Sequence, residues 1–124
     1  MAINSRRKGA TGERELAHLL QGYGYPAERG VQYSGLKGNA DVVGVEGLHI
    51  ECKRSERVTE EDFIKQAERD ARKGQIPIVM YRKNGEQWKA LLRLDMFMAI
   101  WVELTEEQKA TIKDKVKLLR RAEK

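Results

Sequence analysis

The chain has 124 residues, a formal charge of +5 and charged side chains at 35% of positions, so it can build one real hydrophobic core and not two. Its single cysteine excludes an internal disulfide and a cysteine-ligated zinc site. No apolar run approaches the roughly 20 residues of a membrane span, and a cytosolic setting is expected, in a cell or in an infected host. The basic excess (pI ≈ 9.4) suits a polyanionic partner without establishing one.

In chain order, residues 1–8 carry Arg6-Arg7-Lys8 and read as a basic arm or the first turn of a helix. A helix then runs to about Gly22. Its residues Glu13, Leu16, Ala17 and Leu20 fall at i, i+3, i+4 and i+7, so a carboxylate continues an apolar face. Gly22, Gly24 and Pro26 end it. Ala27–Tyr33 is a plausible strand, and residues 34–39 form a flexible loop with two glycines and a lysine. Asn39 to Arg54 reads as two short strands joined by a tight turn. Thr59 with Asp62 makes a weak capping box for a helix to about Lys73, with Phe63, Ala67 and Ala71 as its apolar stripe.

Ile76–Tyr81 is a strongly apolar strand, and Pro77 places it at a sheet edge or a strand start. Asn84-Gly85 marks a turn before a last strand over residues 87–93. Met96–Val102 reads as a short buried helix. Thr105 with Gln108 is a second capping box, opening a C-terminal helix. That helix has a narrow stripe (Ile112, Val116, Leu119) among lysines and arginines, suited to a groove or a partner helix. The expected order is αβββαββ followed by helices, a mixed α/β fold. Its parts are an arm (1–8), a core (9–93) and a helical extension (94–124).

The chemistry concentrates in the hairpin. Alternate residues of a strand share a face, so His49, Glu51 and Lys53 lie on one side and Leu48, Ile50 and Cys52 on the other, core, side. A two-residue turn at Glu46-Gly47 would put Asp41 opposite Cys52. A three-residue loop, Val45-Glu46-Gly47, pairs Asp41 with Glu51 and requires a left-handed glycine at its end, which Gly47 supplies. The second register is expected. Paired carboxylates without nearby histidines or thiolates make a hard oxygen site, selecting Mg²⁺ or Mn²⁺ over zinc. The Cys52 carbonyl is placed to join Asp41 and Glu51 as a ligand. Lys53 can orient or help deprotonate a water and offset transition-state charge. Glu13 can reach the same place from the first helix.

Taken in order, Gly9-x-x-Gly12-Glu13-Arg14-Glu15-Leu16, Arg29-Gly30, Tyr33-Ser34-Gly35, Asp41-Val42-Val43 and Glu51-Cys52-Lys53 resemble the PD-(D/E)xK nuclease superfamily. Within it they resemble the archaeal-type Holliday junction resolvases and their small phage relatives. The resemblance covers roughly Arg6 to Arg93 and implies a restriction-endonuclease-like core and a metal-dependent nuclease working as a symmetric homodimer on four-way DNA junctions. By position, Glu13, Asp41, Glu51 and Lys53 match the catalytic four, Ser34 a loop serine near the site, and Gln66 a glutamine of the following helix. One departure is Ala40, where a proline commonly precedes the aspartate.

Arg6, Arg7, Lys8, Arg29, Lys37, Arg54 and Arg57 flank the site in sequence and are candidate phosphate contacts. His18 and His49 read as structural or surface groups rather than ligands, with a substrate contact as the alternative for His49, which shares a face with Glu51. Tyr23, Tyr25 and Tyr33 read as packing residues, or as stacking platforms for an exposed base. Two rivals to a junction resolvase stay open: a nuclease of the same superfamily acting on other DNA intermediates, and a non-catalytic DNA-binding module. The dimer surface is expected at Met96–Val102 with part of the sheet edge.

Overall fold

A computed structural model describes residues 2–30, 40–57 and 59–122, with side chains from Gly9 onward. The first helix extends through the basic stretch despite Gly9 and Gly12: α1 spans Ala2–Gln21, so of the two readings of residues 1–8 the helical one holds for Arg6-Arg7-Lys8. Gly24 ends the turn that follows at φ +96°, a conformation glycine adopts freely. The chain continues through β1 (Glu28–Arg29), β2 (Val42–Val43), β3 (Leu48–Lys53), α2 (Glu60–Asp70), β4 (Ile76–Tyr81) and β5 (Lys89–Leu91). Two further helices, α3 (Leu94–Trp101) and α4 (Glu106–Ala122), complete it. Of the expected first strand, Glu28–Arg29 is seen and residues 31–39 lie outside the described residues.

The five strands form one sheet in the order β1-β2-β3-β4-β5. β3 and β4 run parallel and the other neighbours antiparallel, as expected for a mixed sheet. A parallel pair needs a long crossover, which α2 supplies. Leu16 and Ala17 of α1 pack with Ala27, Val42, Ile50, Cys52 and Ile78 on one face of the sheet. Ile64 and Ala67 of α2 pack with Val79 on the other. Both faces of β3 are therefore covered, and its residues from His49 to Cys52 are all buried.

The hairpin has the three-residue register. Val42 opposes Ile50, as the three-residue loop requires, and the Asp41 N–H also donates to the Ile50 carbonyl, at 3.0 Å, a bulge-like step out of register that still leaves the Asp41 carboxyl against that of Glu51. Leu48 N–H closes the loop on the Val45 carbonyl at 3.1 Å, and Gly47 has φ +92°.

Several boundaries differ from expectation for local reasons. α2 stops at Asp70 rather than Lys73 because Ala71 is extended. A turn then forms in which Arg72 N–H donates to Gln75 Oε1 at 2.9 Å and Gly74 takes φ +88°. Thr59 precedes α2 without a side-chain cap, and Ile64 replaces Ala71 in the buried stripe. Pro77 lies in an internal strand, not an edge. It is tolerated there because β5 pairs only from Val79 onward, so no ladder bond to β5 is lost.

Residues Met1–Leu92 form one compact unit and Arg93–Lys124 another. In the second unit α3 buries none of its residues, contrary to the buried helix expected there. Leu94 and Val102 are 76% and 66% exposed, and Phe97 stacks on Trp101 with ring centroids 6.0 Å apart. The capping box before α4 forms in both directions: Gln108 N–H donates to Thr105 Oγ1 at 3.1 Å and Thr105 N–H to Gln108 Oε1 at 2.8 Å. Thr105→Ala is expected to cost about 1 kcal/mol, seen as faster amide exchange in the first turn of α4. Unchanged exchange there would show that the cap contributes nothing.

Candidate active site

Asp41 is positioned by close backbone packing. Gly30 N–H donates to the Asp41 carbonyl at 2.8 Å, and a Cβ on Gly30 would lie 2.0 Å from the Ala40 carbonyl oxygen. Ala40, standing where a proline was expected, is itself buried. The Asp41 side chain is 8% exposed, and its Oδ2 accepts the Cys52 N–H at 2.9 Å. Across the ladder its carboxyl meets that of Glu51. Burial, then the hydrogen bond and negative charge of Glu51, push Asp41 up to about 8. Burial also works against ionisation of Glu51, but hydrogen bonds from His49 and Asp41 outweigh it and leave Glu51 below its usual range. The two carboxyls therefore do not ionise independently: Asp41 is the harder of the pair to ionise and Glu51 the easier.

The partner of that charge was not expected. His49 Nε2 lies 2.8 Å from Glu51 Oε1, and the two residues are each 1% exposed. A carboxylate pair without a nearby histidine is therefore not what the fold builds. Asp70, in the last turn of α2, completes a group with His49 and Glu51 whose potential ligand atoms all lie within 4.8 Å of one another. Among the described residues no other set of three meets that criterion, so Glu13, Asp41 and Glu51 do not close into one.

Glu13 instead pairs with Arg29, Nε to Oε2 at 2.6 Å. Its charge nonetheless adds to the upward shifts of Asp41 and Cys52, so its field reaches the pair. Lys53 Nζ donates to Gln66 Oε1 at 3.0 Å and sits 5.2 Å from the Phe63 ring centroid. Gln66 is thus brought to the lysine, and Phe63 serves the site as well as the core. Burial and the charges of Asp41 and Glu13 push the Cys52 thiol up to about 12, so it offers no thiolate. Its N–H, rather than its carbonyl, is the group seen to engage the acids.

Of the expected phosphate contacts, Arg29 is held by Glu13. Arg54 donates to the Arg82 carbonyl at 2.9 Å and to Asn84 Oδ1 at 2.8 Å. Gly12 packs so closely on Arg54 that a Cβ would meet its Cγ at 2.3 Å. Both arginines therefore also brace the scaffold. Arg57 is exposed. Ser34, Lys37 and Tyr33, and the side chains of Arg6, Arg7 and Lys8, lie outside the described residues. His18, Tyr23 and Tyr25 are exposed, so neither tyrosine packs in the core. A brace not foreseen joins α1 to the far strands: Glu15 accepts from Arg82 Nε at 2.6 Å and from Trp88 Nε1 at 2.8 Å. Asp70 escaped notice, although an acid at a helix C-terminus, where the dipole disfavours it, was an available signal. His49 lies on the face of Glu51 as alternation predicts, and only its buried bond to Glu51 was not foreseen.

Two carboxyls held together under cover, one of them resisting ionisation, fit a divalent cation that would offset their crowded charge. Their oxygens suit Mg²⁺ or Mn²⁺, and the nearby imidazole adds a nitrogen that softer ions accept. The family model described as Phage putative PDDEXK endonuclease matches residues 4–123. A comparison with curated proteins finds no match.

Proposed function

This chain belongs to the phage putative PDDEXK endonuclease family, and on that footing we propose that it is a Mg²⁺-dependent, structure-selective DNA endonuclease that resolves four-way junctions as a homodimer. The observation that carries the nuclease part is the opposed Asp41–Glu51 pair, with Lys53 two residues beyond Glu51 and held by Gln66. Asp41 and Glu51 would hold the ion; Glu13 and the Cys52 carbonyl, the other expected ligands, would join only after Glu13 leaves Arg29, or through water. Mn²⁺ is expected to substitute. Bound there, a divalent ion supplies charge neutralisation at the scissile phosphate and makes water easier to deprotonate.

The chain's own groups account for the remaining steps. The Gln66 carbonyl takes one N–H of Lys53 and so aims the other two. The ammonium is thereby directed at the attacking water or at the phosphoryl oxygens, where negative charge grows in the transition state. Asp41 must give up its proton before it can act as a ligand, so cation binding is coupled to proton release. Arg57 on the surface, with the basic residues of α1, supplies a sequence-tolerant attraction for the phosphate backbone.

The junction and dimer parts rest on the ordered motif set and on symmetry: two equivalent strands call for two equivalent sites. The test incubates native protein and Lys53→Ala with four-way junctions and linear duplex in Mg²⁺. Paired symmetric nicks in the junction are expected, with a loss of roughly 10²–10⁴-fold in the variant. Equal cutting of linear duplex would move the substrate to other DNA intermediates. Binding without metal-dependent cutting would leave a DNA-binding module. Gel filtration showing only monomer at micromolar concentration would refute the dimer.

A further inference from the structure

We propose that His49 is a positioning residue that occupies one oxygen of Glu51 and thereby fixes the other toward Asp41 and the cation. The proposal rests on the nuclease reading above. Three observations carry it.

The first is location. His49 precedes Glu51 by two residues on β3, so both side chains leave the same face, under α2 and beside Val79 and Pro77 of β4. Both are 1% exposed. An apolar side chain at position 49 would fill that space at less cost, because a buried imidazole must keep a hydrogen-bond partner.

The second is the bond itself. Nε2 lies 2.8 Å from Oε1, well within hydrogen-bonding range. A carboxylate free to rotate about its last torsion presents either oxygen. With Oε1 held by the ring, Glu51 has one oxygen left, and Asp41 stands across the ladder from it. The group that binds the ion is thus set before the ion arrives. Hydrogen bonds of this kind behind a ligand typically govern affinity by about 10–100-fold.

The third is Asp70. Its carboxylate comes within 4.8 Å of the His49 and Glu51 ligand atoms, although it sits at the C-terminal turn of α2, where a negative charge is disfavoured. The His49 ring thus has a second acid within reach, a setting that favours a hydrogen-bond donor over an apolar group at that position.

The test compares His49→Gln, which keeps an amide N–H at about the reach of Nε2, with His49→Leu, which keeps the bulk and loses the donor. Mn²⁺ binding to the DNA-free protein is measured by calorimetry, and the Mg²⁺ dependence of cleavage is measured alongside. His49→Leu is expected to bind Mn²⁺ about 10–100-fold more weakly and to need correspondingly more Mg²⁺ for half-maximal cutting. His49→Gln is expected to recover most of the native affinity. If His49→Leu does not fold, as judged by circular dichroism, His49→Asn takes its place, since its amide is too short to reach Oε1.

Native Mn²⁺ affinity in the donor-less variant would overturn the proposal. So would equal weakness of the Gln and donor-less variants, which would mean that only packing matters. Zn²⁺ binding that survives Asp41→Asn but is lost in His49→Gln would also overturn it, because His49 would then be a ligand itself. If the native protein neither binds Mn²⁺ nor cuts DNA, the nuclease reading fails and this proposal with it. If the native protein does both and the donor-less variant matches it, only the proposal for His49 fails.

Discussion

Asp41→Asn is expected to lower metal-dependent cleavage by roughly 10³-fold or more while raising the melting temperature of the metal-free protein at pH 8. The two effects have one cause. Asp41 and Glu51 are crowded together under cover, and Asp41 is raised from 3.8 to about 8, first by burial and then by Glu51. A carboxyl raised in the folded state binds its proton more tightly there than in the unfolded chain. Its contribution therefore favours folding most at or below about pH 4, is lost as pH climbs to about 8, and stays lost above that.

Glu51 acts in a different window. Its folded value is lowered, so its stabilising contribution is present above its ordinary value near 4.5 and is lost as pH falls further. Together they put the greatest stability of the metal-free protein in the mildly acidic range.

Asparagine removes the Asp41 titration. Its carbonyl can still accept the Cys52 N–H, and its amide can donate to Glu51. A pKa unit is worth a little over 1 kcal/mol, and allowing for what the native pair recovers, the variant should gain about 2–4 kcal/mol at pH 8. At pH 4 it should gain little. Thermal unfolding from pH 4 to 8 in the presence of a chelator checks this: the native slope should flatten in the variant. Mg²⁺ should then raise the native melting temperature and leave that of Asp41→Asn almost unmoved. A variant that is less stable than native at pH 8 would show that the pair is not under electrostatic strain.

The second large effect is expected at Gly30. A Cβ there would stand 2.0 Å from the Ala40 carbonyl oxygen and 3.4 Å from the Asp41 carbonyl carbon, and a backbone atom cannot step aside as a flexible side chain can. Gly30→Ala must push β1 off β2 and break the Gly30–Asp41 hydrogen bond. A loss of about 3 kcal/mol or more is expected in urea unfolding, together with loss of cleavage. Gly9→Ala serves as the control. No atom would lie within 4 Å of its Cβ, and it sits inside α1, so the same substitution should stabilise by up to about 1 kcal/mol. Equal effects at the two positions would refute the account of Gly30.

Much of the site was legible because it depends on short-range rules. The alternation along residues 48–53 and the left-handed requirement at Gly47 together determine the hairpin register, which pairs Val42 with Ile50 and brings the Asp41 carboxyl to Glu51. The Thr105–Gln108 box is equally local, and it forms as the sequence implies. The element order follows from the same periodicities, with α2 falling where a parallel crossover is required.

What escaped depends on layers that the chain assembles from distant segments. Alternation assigns His49 and Glu51 to one face but cannot say that α2 will cover it. Covering turns a solvated pair into a buried hydrogen bond and brings Asp70 to its side. The same blindness applies to Glu13 and Arg54. Helical spacing aims Glu13 at the site, yet its ion pair with Arg29 depends on β1 lying beside β2. Arg54 looks like a free cation until Gly12, Arg82 and Asn84 close around it. By itself, then, the sequence determined which acids and which lysine share the hairpin and in what register, since those follow from periods of a few residues. Only the tertiary structure decided which of these groups lose water and what each then bonds, because burial is a property of the layers and not of any one strand.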